Sequence, residues 1–173
     1  RRPSRSCTAV PEPSDYWSEF AGRLERLGIE AKLIGALAAA LYRATPRTTT
    51  DVDFLARSLD GLVDDLVADG YECQVMDDGG EPYAVFVRGH DQRIDVLRAE
   101  TAYQHEALDR AEGPAITCED VIVHKLLAWR ARDRDDVREI LRAGHDLDED
   151  YIAGWADRWK VGDRWDEARR LTD

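Results

Sequence analysis

Ile34-Gly35-Ala36-Leu37-Ala38 and, a short way on, Arg47-Thr48-Thr49-Thr50-Asp51-Val52-Asp53-Phe54-Leu55 decide how this chain of 173 residues folds. The first stretch closes a short strand, Glu30 to Ile34, and runs through Gly35 into a helix of small residues, Ala36 to Arg43, whose alanines allow close packing on a sheet. In the second, Asp51 to Ala56 alternates as a strand. Val52, Phe54 and Ala56 share one face, and Asp51, Asp53 and Leu55 share the other. Two aspartates at i and i+2 stand about 7 Å apart at Cα on the same face, a separation that suits a pair of divalent cations about 3.5 to 4 Å apart.

Working outward, Trp17, Phe20, Leu24 and Leu27 recur at helical spacing, with Ser14 placed as N-cap and Gly28 as terminator. Leu59 to Asp69 reads as a helix ended by Gly70. Tyr71 to Met76 and Tyr83 to Arg88 read as strands joined by a turn-rich linker, and Gly89-His90-Asp91 leads into a strand from Gln92 to Leu97. There Asp95 is embedded in apolar residues. Burying it unpaired would be costly, which implies a cation beside it. Beyond residue 100 the pattern is helical: Ala102 to Arg110, one long element from about Cys118 to Ala143 opened by Thr117-Cys118-Glu119-Asp120, Asp148 to Trp159, and a last helix near Trp165. The fold class expected is α+β: a mixed sheet flanked by helices (residues 14–100), then a helical extension (101–173), preceded by a flexible leader (1–13).

The net charge of −12, from 36 acidic and 24 basic residues, disfavours polyanions at the surface as a whole, so a nucleic-acid partner needs a local basic patch. Arg130, Arg134, Arg138 and Arg142 would form such a ridge on an unbroken helix, although Asp135, Asp136 and Glu139 neutralise much of it. Three widely spaced cysteines suit neither a disulfide framework nor a zinc site and fit a reducing, cytoplasmic setting. No apolar run reaches the roughly 18 to 20 residues that cross a bilayer. Gly35, at the start of a helix, would let a phosphate approach free backbone N–H groups. Trp155, Trp159 and Trp165 fit a core stripe better than a base-stacking surface.

Together, the Gly35-Ala36 turn with Tyr42, the Arg47 to Leu55 block, Glu119-Asp120-Val121-Ile122-Val123-His124-Lys125-Leu126-Leu127-Ala128, and Arg132-Asp133-Arg134-Asp135-Asp136-Val137 resemble the motifs of the AbiEii-type nucleotidyltransferases. That family belongs to the polymerase-beta-like superfamily and includes toxins of toxin–antitoxin pairs. The resemblance spans about residues 30 to 142. It implies magnesium or manganese held by Asp51 and Asp53, with Asp95 as third carboxylate, and nucleotide contacts at Gly35, Ala36, Arg47 and Thr50. It also implies nucleotide-binding or catalytic roles for Lys125, Asp133 and Asp136. The implied reaction moves an NMP from an NTP to a hydroxyl of tRNA, protein or a small molecule, with a cognate antitoxin as a further partner and no membrane. One departure stands out: relatives often carry Gly-Ser or Gly-Gly at Gly35-Ala36, so a hydroxyl contact to the triphosphate would have to come from the backbone, Thr48 or Thr50. The alternative is a nucleotidyltransferase-like module that binds nucleotide or a partner without transfer.

Overall fold

The computed structural model describes residues 13–89 and 92–170. Among these, the elements run α1 (Pro13–Arg26), β1 (Ala31–Ile34), α2 (Gly35–Tyr42), β2 (Asp51–Ala56), α3 (Leu62–Ala68), β3 (Glu72–Met76), β4 (Ala84–Gly89), β5 (Gln92–Arg98), α4 (Ala102–Arg110), α5 (Cys118–Ala128), α6 (Ala131–Arg142), α7 (Glu149–Arg158) and α8 (Gly162–Arg170). Residues 1–12 of the expected leader, and the His90-Asp91 connection, lie outside the described residues; Pro13 already belongs to α1. No helix among the described residues is long and apolar enough to cross a membrane.

The sheet is mixed, in the order β1-β2-β5-β4-β3. Its centre is the parallel pair β2 and β5, in which Asp51 faces Arg93, Asp53 faces Asp95 and Leu55 faces Leu97 across the ladder. The remaining pairings are antiparallel. Val52, Phe54, Ile94, Val96, Val85 and Val87 are buried on one face of the central strands, where Phe20 of α1 stacks on Phe54 with ring centroids 5.7 Å apart. Side chains of this size each contribute roughly 1.5 to 3 kcal/mol when fully buried. On the opposite face the acidic residues of β2 and β5 give way to Leu55 and Leu97. The core runs without a break into α4 to α8, through Tyr103, Ile122, Ile140, Ile152 and Trp165.

The long helix expected from Cys118 to Ala143 is two helices. Trp129 adopts a left-handed conformation (φ 48°), and the Arg130 N–H starts α6 by donating to the Asp133 carboxylate at 3.0 Å. The break carries neither Gly nor Pro, so local propensity did not announce it; the capping carboxylate holds it in place. Arg130 therefore leaves the supposed basic ridge. Of the rest, Arg138 bonds Asp135 and Arg142 bonds Glu139 at 2.9 Å, so that face is laced with ion pairs. The tryptophan stripe is also revised: Trp155 and Trp165 are buried, but Trp159 is 40% exposed.

The break turns α6 back across α5 and brings together a buried ion network. Lys125 lies 2.7 Å from Asp136 and 3.2 Å from Asp133, and both carboxylates are fully buried. Asp136 also accepts from Arg43 at 2.5 Å and from Arg47 at 2.7 Å, both in the segment after α2. Thr45 of that segment donates to Glu139 at 2.6 Å. Burial pushes the Asp136 carboxyl up, but hydrogen bonding to Lys125, the Lys125 charge and Arg47 outweigh it and hold it below the usual range. For Asp133, burial is likewise outweighed, by the Arg130 hydrogen bond and then by Lys125.

Both carboxyls therefore titrate lower in the folded protein than in the unfolded chain, where about 3.9 is usual. Their contribution to stability is complete above that value and is lost as pH falls through the folded values, because the unfolded chain then binds more protons. Urea unfolding from pH 7 to pH 3 is expected to show stability falling with a slope approaching about 1.4 kcal/mol per pH unit for each extra proton. Asp136→Asn should start less stable and fall less steeply; parallel curves for the two proteins would contradict the depressed value at Asp136.

Candidate active site

The ends of β2 and β5, the Gly35 turn and the junction between α5 and α6 enclose a cavity of about 280 Å³. Gly35 opens α2 directly after β1 with φ +68°, a conformation that L side chains rarely adopt. A Cβ built there would sit 2.1 Å from Asp53 Oδ2, so only glycine lets the helix start this close to the acidic strand. Ala38 and Ala39, fully buried behind it, let α2 lie tightly in the core.

Seven residues singled out from the sequence line this one cavity: Gly35, Ala36, Arg47, Asp51, Asp53, Asp95 and Lys125. Asp133 and Asp136 stand behind Lys125, fixing its ammonium rather than lining the cavity. Thr50 is exposed and lies off the wall. Its neighbour Thr49 lines the cavity instead, with its hydroxyl accepting from the Asp51 N–H at 3.3 Å. Strand alternation explains the exchange, since Thr49 falls in phase with Asp51 and Asp53.

Sequence reasoning missed three basic lining residues. Arg93 sits two residues before Asp95 on the same strand face and grips it through both oxygens, at 2.8 and 2.6 Å. The i, i+2 spacing in Arg93-Ile94-Asp95 was a usable signal. Arg130 and Arg132 reach the cavity only because the chain turns between α5 and α6, a break the helical pattern concealed. Arg43 was missed as well; it supports the site from behind through Asp136.

Burial pushes the Asp53 carboxyl above its usual value, and repulsion from Asp95 and then Asp51 adds to this; Arg93 and Lys125 offset it in part. Crowded carboxylates of this kind are relieved by a cation. The donor set is all carboxylate oxygen, which suits a hard divalent ion such as magnesium or manganese. Among the described residues no three His, Cys, Asp or Glu side chains are grouped so as to hold a metal, and Asp95 is engaged by Arg93.

His124, next to Lys125 in sequence, faces a neighbouring cavity and packs against Tyr103 with ring centroids 5.5 Å apart. His105 lies within α4, its Nδ1 3.4 Å from Arg57, and His145 contacts the Tyr42 carbonyl at 2.7 Å.

No family model matches the chain, and no curated protein matches it in sequence. Solved structures match its fold. The antibiotic-resistance factor ANT(2'')-Ia is similar at 15% identity, with 92% of this chain and 97% of that one covered and a TM-score of 0.61. The lincosamide antibiotic adenylyltransferase LnuA, in a lincomycin-bound form, is 13% identical over 76% of this chain and 96% of its own, with a TM-score of 0.53. An antigenic nucleotidyltransferase-like protein from Paracoccidioides brasiliensis is 19% identical over 76% and 75%, with a TM-score of 0.50. At these identities the likeness concerns architecture: the chain has a nucleotidyltransferase-like α+β fold, a five-stranded mixed sheet flanked by helices.

Proposed function

We propose that the chain is a magnesium- or manganese-dependent nucleotidyltransferase that moves an NMP from an NTP to an acceptor hydroxyl and releases pyrophosphate. One observation carries this reading: a single cavity of an acidic chain gathers cations around a cluster of carboxylates. Five cations, Arg47, Arg93, Lys125, Arg130 and Arg132, surround three carboxylates in a chain whose net charge is −12. A polyanion with a bound divalent ion satisfies both sets of charges at once, and a triphosphate is such a ligand. The name of the lincosamide antibiotic adenylyltransferase that shares the fold agrees with it.

In this reading Asp51, Asp53 and Asp95 would hold the metal, which when bound neutralises charge on the phosphate oxygens. Lys125, fixed by Asp133 and Asp136, steadies the triphosphate from the α5 side, with Arg47, Arg130 and Arg132 around it. Arg93 leaves Asp95 for a phosphate oxygen, and the freed Asp95 carboxylate accepts the proton of the acceptor hydroxyl. That oxygen forms a bond to the α-phosphorus as the α–β bridging bond breaks, and pyrophosphate departs with the electron pair. Catalysis is then largely positioning and charge neutralisation. We assign the chain to the AbiEii type on its sequence motifs, and a cytoplasmic toxin role with a cognate antitoxin follows from that assignment.

Incubation with labelled NTPs, magnesium and a mixture of RNA, protein and small hydroxylic compounds tests the activity. Transfer is expected from the wild type, and Asp53→Asn should lower it by roughly three orders of magnitude or more, since it removes a carboxylate from the charge cluster. Tight NTP binding with no labelled product from any nucleotide would establish a non-transferring module instead. Gly35→Ala should displace Asp53, cut turnover about a hundredfold and cost roughly 1 to 3 kcal/mol of stability, as kinetics and thermal melts will show. Ala36→Ser, which restores a hydroxyl at the wall, should tighten NTP binding by about threefold to tenfold in a calorimetric titration.

A further inference from the structure

A second cavity, of about 450 Å³, opens next to the first. Its position follows from strand geometry. Leu55 is two residues beyond Asp53 on β2, and Leu97 is two beyond Asp95 on β5, so each pair projects from one face about 7 Å apart along its strand. Ile34 immediately precedes Gly35, and His124 immediately precedes Lys125. The charged cavity and the second one are consecutive stretches of a single sheet face.

Their chemistry differs completely. In a chain that is 35% charged, none of the ten residues lining the second cavity is Asp, Glu, Lys or Arg. Leu55, Leu97 and Tyr103 form part of its wall, and Leu127 and Trp159 stand at 37% and 40% exposure although both are large and apolar. Trp159 is the tryptophan that leaves the core stripe. Polar side chains are few: Thr101, Gln104, His124 and Tyr103, whose hydroxyl donates to the Asp120 carbonyl. The Gln104 carbonyl is fixed by the Thr101 N–H at 2.9 Å, in the cap of α4. Burial lowers His124 to about 4, so its imidazole is neutral at physiological pH.

We propose that this cavity holds the acceptor, and that the acceptor is an uncharged, partly apolar small molecule bearing a hydroxyl group. The proposal rests on the reading of the neighbouring cavity as the nucleotide site. A volume of this size, apolar walls and a few fixed polar groups are the features of small-molecule pockets. An RNA end would need cations along its backbone, and a polycationic acceptor would need carboxylates. The lining of this cavity offers neither. Trp159 supplies a flat apolar surface for a ring, and the acceptor hydroxyl is directed along the strands toward Asp53 and Asp95.

The full chain is titrated with 1-naphthalenemethanol, an uncharged aromatic alcohol, by ligand-observed saturation-transfer NMR, and separately with ATP and magnesium by calorimetry. The alcohol is expected to bind, and Trp159→Ala and Leu127→Asp should each weaken it by about tenfold. Both positions are substantially exposed, which favours retention of the fold, and thermal melts check this directly. ATP binding to these variants should change by less than about twofold, since the charged cavity is untouched. No binding of the alcohol, or binding that both variants leave intact, overturns the proposal, as does labelling of RNA that Leu127→Asp leaves undiminished. Loss of ATP binding in the wild type would instead overturn the nucleotide-site reading.

Discussion

The contact on which most of the site depends is the grip of Asp136 on Lys125, Arg43 and Arg47. A carboxylate with no exposure is costly unless its charge is met and its lone pairs are filled. Here three cations from two distant segments meet it. The result is directional: Arg43 and Arg47 fix the segment that leads into β2, and Lys125 fixes α5 against α6. Breaking one partner would leave charge stranded in the interior.

A second constraint acts at closer range. Gly35 and Asp53 are register neighbours in space: Ile34 pairs with Asp53 across β1 and β2, and the next residue must clear the Asp53 carboxylate. The clearance puts the first turn of α2 beside the acidic strand. Repulsion from Asp95 and Asp51 then adds to burial in raising Asp53, while Arg93 satisfies Asp95. The result is an acidic centre with a basic surround.

The sheet also divides its labour along the strands. One stretch of the face shared by β2 and β5 is charged, and the next is apolar and neutral. The alternation in Asp51-Val52-Asp53-Phe54-Leu55 already encoded this division, since Leu55 falls in phase with the aspartates. A strand buried on its opposite face by Val52, Phe54 and Ala56 cannot slip by one residue without exchanging core for site.

The sequence by itself determined the mixed α+β architecture, the strand that carries Asp51 and Asp53, and the Gly35 turn, because periodicity and glycine placement are local and leave a local trace. It also placed most helices to within a few residues: Ala102 to Arg110 is matched at both ends, while the Leu59 helix starts later, at Leu62, behind a left-handed Gly61. Only the tertiary structure decided the break at Trp129, the enclosure of Asp133 and Asp136, the recruitment of Arg93, Arg130 and Arg132, and the exposure of Trp159. These features are set by partners far apart in the chain, as in the 93-residue separation between Arg43 and Asp136. No window of sequence contains both ends of such a bond, so spacing alone does not reveal the buried, charge-matched support that folding produces.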